Sequence, residues 1–338
     1  MKVIDLSDES LSLSIVVPAF NERGNLRKLH SDLASVLEPL DLTWELVFVD
    51  DGSTDETWSD IKALNASDAR VRGIRLSRNF GHQGALLAGM SHARGDAVVS
   101  MDADLQHPPH VLPTLLAEWR RGSKIVKTVR RDPSDLPAFK RMSSRLFYRV
   151  FSYLSGVDLR SGMADFRLID REVLDQLLKF KEEGLFLRGI VQWVGYPNAT
   201  IEFDCEPRFS GSTKYNLRRM FRFAWHGISS FSLVPLRIGI AIGLGASTIA
   251  FVGVGYAIIA KWLDGHTVAG WASSVAIISF LFGVLFLFLA ILAEYVGRIL
   301  EEVRGRPRFI VSEEVGTNAL VSRAEPTVTP RKKSYAQT

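Results

Sequence analysis

The sequence predicts an α/β domain on a mainly parallel sheet flanked by helices, followed by an amphipathic interfacial helix and two transmembrane helices. Three observations predict it. Apolar, β-branched runs alternate with helical patterns through the first part of the chain. Polar signatures recur just after those runs, and two long windows near the C-terminus carry no charge.

The strands are read in SIVVPAF, WELVFVDD, VRGIRLS and DAVVSMDAD, with KIVKTVR as a fifth. Between them NLRKLHSDLASVLEPL, ETWSDIKALNAS, GALLAGMSHA and PHVLPTLLAEWRRG space their apolar residues as helices do. Runs this apolar, separated by helices, fit parallel strands covered on both faces. Ligands of open α/β sheets bind at the carboxyl ends of the strands. NERGN, DDGSTD and DADLQHPP, each just past a strand, are therefore expected to share one crevice. There is no G-x-G-x-x-G and no Walker pattern, and GHQGALLAG reads as a helix start rather than a phosphate loop.

The chain has 338 residues, of which 47% are hydrophobic and 23% charged, a mixture that suggests a soluble part joined to a membrane part. Ile238 to Ala260 and Gly270 to Ala293 are free of charge. Each is long enough to cross a hydrocarbon core of about 30 Å as a helix. Lys214, Arg218, Arg219, Arg222 and Arg237 precede the first window, and Arg298, Arg304, Arg306 and Arg308 follow the second. The loop KWLDGHTVA between them holds only Lys261 and Asp264, so the positive-inside rule puts both termini in the cytoplasm, with the spans as one hairpin of the inner or plasma membrane. Gly239, Gly243 and Ser247 form a small-residue ridge able to seat one span on the other. Upstream, Leu217, Met220, Phe221, Ala224, Ile228 and Phe231 recur along one face while Arg218, Arg219 and Arg222 fall elsewhere. That pattern describes a helix lying in the membrane surface, with an ordinary core helix as the alternative.

The expected division is residues 1–212 as a cytoplasmic domain, 213–235 as the interfacial helix, 236–296 as the hairpin and 297–338 as a cytoplasmic tail. The polar end beyond Gly316 is expected to be disordered. The opening MKVIDLSDES lacks an apolar core, so no signal peptide is expected. A single cysteine, Cys205, excludes an intrachain disulfide and fits a reducing compartment.

The chemistry is concentrated in VVSMDADLQHPP, Val98 to Pro109. If the strand runs through Asp102 and Asp104, their side chains point to the same face. Neighbouring carboxylates repel, and a bound cation relieves the repulsion. A solvated turn is the alternative for this motif taken alone.

VVPAFNE, VDDGSTD, MDADLQHPP and SGMADFRL occur in the order and approximate spacing of family 2 glycosyltransferases. The chain resembles the branch that loads one sugar onto a polyprenyl phosphate, the dolichyl-phosphate mannose synthases and bactoprenol glucosyltransferases. The resemblance spans roughly residues 12 to 310 and implies a GT-A-like fold. It implies that Asp102 and Asp104, with Gln106, hold Mg²⁺ or Mn²⁺, ions that prefer hard oxygen ligands shared with substrate phosphates. Asp102 thereby also serves the nucleotide sugar. Pro18, Phe20 and Glu22 match the nucleotide-base pocket, and Asp51, helped by Asp50, matches the carboxylate that accepts from the base. Asn21 and Ser53 in the same motifs are good helix caps regardless of function. Arg130, Lys140 and Ser144 match positions for the lipid phosphate, Lys140 keeping the charge but not the fork of an arginine. Arg208 and Lys214 match a basic loop over the phosphates, and Arg188 is placed near the same cleft. Nonspecific attraction to headgroups is the alternative for this basic set. Asp165 matches the proposed catalytic base, with an N-cap or a buried partner for Arg167 as the alternative.

The resemblance thus implies an inverting, metal-dependent hexosyltransferase at the bilayer, with UDP-glucose and undecaprenyl phosphate as leading substrates, mannose, an aminoarabinose or another sugar left open, a possible homo-oligomer and no nucleic-acid partner. A processive polysaccharide synthase is one rival. It calls for Gln-x-x-Arg-Trp, whereas this chain has only Gln192-Trp193. A non-catalytic nucleotide-sugar-binding scaffold is the other.

Overall fold

In the computed structural model, the described residues are 11–40, 42–131, 163–180, 187–204, 234–264 and 270–316. Strands β1 (Ser12–Ala19), β2 (Thr43–Asp50), β3 (Val71–Leu76) and β4 (Ala97–Ser100) alternate with helices α1 (Asn25–Leu37), α2 (Thr57–Ser67) and α3 (His82–His92). A short 3₁₀ turn, Pro109–Val111, leads into α4 (Leu112–Arg120). There follow β5 (Ile125–Arg130), β6 (Met163–Asp170), α5 (Arg171–Leu177), α6 (Leu187–Trp193) and β7 (Asn198–Phe203). Two long helices, α7 (Val234–Asp264) and α8 (Trp271–Arg304), precede a last strand, β8 (Val311–Val315).

The eight strands form one sheet in the order β7-β5-β6-β4-β1-β2-β3-β8. Its centre, β4-β1-β2-β3, is parallel, as the buried runs predict. Alternation sends Leu13, Ile15 and Val17 of β1 into one apolar cluster and Val16 into the other, so both faces are covered. On the first face α1 buries Leu26, Leu29, Leu33 and Leu37, a helical stripe. On the second, Ala85 to Met90 of α3 are buried against the sheet. The sheet is mixed at its flanks. β6 runs antiparallel between β4 and β5, and β8 runs antiparallel on the edge of β3.

A buried ionic network ties the starts of the central strands together. Glu45 is fully buried and accepts from Ser14 Oγ at 2.6 Å, the Arg94 amide at 2.8 Å and Arg72 Nη1 at 3.0 Å. Arg72 also donates to the His92 carbonyl at 2.8 Å, bracing the end of α3. Removing one partner strands the other's charge in the core, which costs about 3–5 kcal/mol. Glu45→Ala is therefore expected to lower the denaturant midpoint sharply, and Glu45→Ala/Arg72→Met to recover most of the loss. Equal midpoints for the single variant and the wild type would refute the network's role.

The helices α7 and α8 pack on one another and are long and apolar enough to cross a membrane. The apolar window Phe280–Arg304 is not buried inside the protein at all, unlike the core helix of a soluble domain. Within the expected small-residue ridge, a Cβ at Gly239 would lie 3.0 Å from the Phe288 ring, whereas nothing comes within 4 Å of one at Gly243.

Residues 297–338 are expected to form a tail, yet β8 returns from beyond α8 to the edge of the sheet, pairing Glu314 with Ile74 and Glu313 with Arg75. Residues 213–233 of the expected interfacial helix, Cys205 and the chain after Gly316 lie outside the described residues.

Candidate active site

The ends of β1 and β2 lead into two loops that brace one another. The Asn21 amide donates to Ser53 Oγ at 3.0 Å, the Thr54 amide to Asn21 Oδ1 at 3.0 Å and the Glu22 amide to Thr57 Oγ1 at 2.9 Å. Asn21 adopts φ 56°, a left-handed conformation that asparagine tolerates. Asn21 and Ser53 are thus cross-links between loops and not helix caps; Gly24 and Glu56 occupy the N-cap positions of α1 and α2. Gly52, at φ 70°, lies against the loop after β3 so closely that a Cβ would sit 2.6 Å from the Arg78 carbonyl carbon. Only glycine fits there.

Adjacent aspartates point to opposite sides. Asp50 is fully buried, accepts from the Ser53 amide at 2.9 Å and faces Arg75 at 3.3 Å. It does not line the cleft, and its contact with the Ser53 amide fixes the loop. Asp51 does line it, and its two oxygens accept from the Phe80 amide at 2.7 Å and the Gly81 amide at 2.9 Å. Burial pushes its carboxyl above the ordinary value against the pull of those amides.

Strand β4 stops at Ser100, so Asp102 and Asp104 stand in the turn beyond it and not on the strand. What aims them is the turn. The Asp102 amide donates to His107 Nδ1 at 2.9 Å, which leaves the proton of a neutral ring on Nε2, 3.7 Å from Asp102 Oδ2. His107 is stacked on Phe166 at 5.1 Å, and burial holds its pKa below the ordinary imidazole value. Leu105 takes φ 63°, a strained conformation for leucine, and the Gln106 amide donates to Asp104 Oδ1 at 3.1 Å. Asp102 and Asp104 line the cleft; Gln106 does not.

From β6, Asp165 reaches the same space while its Oδ1 accepts from the Arg167 guanidinium, two residues along the same strand face. The buried-partner alternative is therefore realised without removing Asp165 from the cleft. His82, at the first residue of α3, places Nε2 3.6 Å from Asp102 Oδ1 and 3.5 Å from Asp165 Oδ2. Neither His82 nor His107 was assigned from sequence, although both stand inside stretches quoted there, GHQGALLAG and DADLQHPP.

Asp51, His82, Asp102, Asp104 and Asp165 line an open cleft of about 520 Å³ at the carboxyl ends of β1, β2 and β4, with Pro18, Phe20 and Glu22 along it. The three strand-end motifs do share one crevice. Asp102 Oδ1 is buried without a hydrogen-bond partner, and Asp104 faces the same space. No set of three potential ligands gathers among the described residues. Two carboxylates on an open cleft suit a hard divalent ion that completes its shell with water or substrate oxygens, so the residues fit Mg²⁺ or Mn²⁺.

The basic set is less completely placed. Arg130 is exposed at the end of β5 and does not line the cleft. Arg188 lies on α6, its side chain outside the described atoms, and Lys140, Ser144, Arg208 and Lys214 lie outside the described residues.

Residues 14–178 match the family model for glycosyl transferase family 2. An uncharacterized glycosyltransferase of Synechocystis sp. is 38% identical over 311 residues, covering 92% of this chain and 98% of its own. The bactoprenol glucosyl transferase of Shigella phage SfII is 37% identical over 303 residues, covering 90% and 98%. Among solved structures, mannosyl-3-phosphoglycerate synthase from Rubrobacter xylanophilus aligns over 65% of this chain and 72% of its own, at 20% identity and a TM-score of 0.46. Relatives that match almost end to end, over a cleft built from the motifs of that family, decide the matter: the chain belongs to glycosyl transferase family 2 and is a glycosyltransferase.

Proposed function

We propose that this glycosyltransferase moves one hexose, glucose from UDP-glucose, to polyprenyl phosphate, with inversion and with Mg²⁺ or Mn²⁺. The observation that carries the reading is the convergence of Asp102, Asp104 and Asp165 on one cleft in a chain that also carries two exposed apolar helices. Relatives named bactoprenol glucosyl transferase support the acceptor and the sugar.

An acceptor phosphate oxygen attacks the anomeric carbon from the face opposite the nucleotide. The new carbon–oxygen bond forms as the bond to the diphosphate breaks, and the nucleoside diphosphate leaves with the electron pair. Asp102 and Asp104 would hold the divalent ion, whose charge, when bound, offsets that of the diphosphate. Asp165, fixed by Arg167, presents its carboxylate to the reacting centre and stabilises positive charge developing on the sugar ring. Pro18, Phe20, Glu22 and Asp51 form the wall for the nucleotide. Arg130, Lys140, Ser144, Arg188, Arg208 and Lys214 are proposed for the phosphates on the resemblance alone.

The return of β8 to the sheet supports a hairpin, because both flanks of the α7–α8 pair must lie on one side of the bilayer. The proposed side is the cytoplasm. The test uses sealed inside-out vesicles carrying the full chain, radiolabelled nucleotide sugars, polyprenyl phosphate and Mn²⁺, followed by organic extraction. One labelled product bearing a single sugar is expected, strongest with UDP-glucose and formed from nucleotide sugar added outside. A polymer ladder would overturn the reading in favour of a processive synthase, and tight UDP binding without turnover in favour of a scaffold.

A further inference from the structure

The loop from β3 to α3 contributes Asn79 and Gly81 to the cleft, and Asp51 grips it from within through the Phe80 and Gly81 amides. Its outer side is held by chain from beyond the membrane helices. Gly305 ends α8 at φ 59°, and the segment then doubles back onto the domain. The Ser77 amide donates to the Ile310 carbonyl at 2.9 Å, and Ser312 Oγ donates to the Arg75 carbonyl at 3.1 Å. Phe309 and Val311 pack against the same buried cluster as Phe80. The Arg308 guanidinium donates to the Phe180 carbonyl. The Arg308 carbonyl oxygen approaches the first turn of α3 so closely that a Cβ on Gly84 would lie 3.4 Å from it. Farther along, Trp58 Nε1 donates to Glu313 Oε2 at 2.9 Å.

We infer that residues 305–316 are a strap that positions the donor-site loop, residues 77–84, with Arg308 a positioning residue acting through that loop. The inference rests on the proposed binding of a nucleotide sugar in the cleft. Its physical content is a population. A loop held on one side only opens at a small free-energy cost, whereas one held on both sides opens with the strand that pins it. A ligand that needs the closed loop binds more weakly in proportion to the fraction of molecules in which the loop is closed. Loosening the strap therefore weakens donor binding while leaving the bound complex as reactive as before. Because the strap continues directly from α8, one stretch of chain both joins the domain to the membrane helices and shapes its donor cleft.

The test compares the full chain in membranes with Arg308→Ala, Arg308→Lys and Trp58→Phe. Arg308→Ala is expected to raise the KM for the nucleotide sugar about 5- to 10-fold, with kcat within about twofold and the KM for polyprenyl phosphate unchanged. Arg308→Lys, which keeps a donor for the Phe180 carbonyl, is expected to restore most of the affinity. Trp58→Phe loosens the strap from its far end, so a smaller rise in the same KM is expected. It carries the test if Arg308→Ala does not fold. Amide hydrogen exchange at Phe80 and Gly81, read without substrate, is expected to quicken about tenfold in Arg308→Ala. A fall in kcat with both KM values unchanged would mean that Arg308 serves stability alone and would overturn the inference. Unchanged exchange at Phe80 and Gly81 would overturn it as well. If the wild type turns over no nucleotide sugar, the proposed function fails, and the exchange rates still decide whether the strap holds the loop.

Discussion

Replacing Asp102 or Asp104 with asparagine is expected to lower kcat/KM at least about a hundredfold, close to 2.7 kcal/mol of transition-state stabilisation, while the domain stays folded. Asparagine keeps the shape of the side chain and removes the charge. Both residues stand in a turn past the end of β4, and neither helps to bury the sheet. Asp102 Oδ1 has no hydrogen-bond partner to lose. Taking away one of two neighbouring carboxylates also relieves repulsion, so the thermal midpoint should hold or rise slightly. The loss of activity and the retention of stability thus point in opposite directions, which a general folding defect would not do. Steady-state rates measured across a Mn²⁺ titration are expected to show a higher metal requirement in each variant and no turnover of the wild type in EDTA. Activity that survives EDTA, or that survives both substitutions, would remove the metal from the mechanism.

How much of this was legible in the sequence follows from which side of an element is buried. Strands β1 to β4 are covered on both faces, so their apolar runs stand out from the polar stretches around them. Edge strands announce themselves weakly, because they bury less and alternate with exposed residues. β7 reads NATIEF with three exposed positions, and β8 reads VSEEV with three more. β6 was recognised only as the motif SGMADFRL, since Asp165 and Arg167 look out of place in a strand until their mutual contact is known. Asp102 and Asp104 stand out in the sequence because their spacing is local. The histidines do not, because what makes His82 and His107 part of the site is distance in space: one spans Asp102 and Asp165, the other stacks on Phe166. Asn21 and Ser53 were read as caps for the same reason, since a polar residue before a helix signals a cap unless a second loop stands opposite.

Replacing Asp165 with asparagine is expected to cost about a hundredfold or more in kcat while the acid limb of the pH–rate profile stays where it is. An enzyme that transfers to an alcohol needs a base to strip the nucleophile of its proton. A phosphate monoester has a second pKa of about 6 and is mostly dianionic at pH 7, so it arrives already deprotonated. The structure adds an independent reason. One oxygen of Asp165 accepts from the Arg167 guanidinium and the other faces His82 at 3.5 Å, so the carboxylate is fixed in place from both sides. That geometry suits a fixed negative charge beside a cationic sugar ring. The substitution also removes the negative charge that faces Arg167, which is 4% exposed, and weakening a buried ion pair is expected to lower stability. The double variant Asp165→Asn/Arg167→Gln separates the two effects. Its thermal midpoint should recover toward the wild type, and its kcat should not. If Asp165 were the base, the wild-type acid limb would vanish in the variant. If it is an electrostatic anchor, the slow variant keeps a limb near pH 6 that moves only when the acceptor phosphate is replaced by one of different pKa.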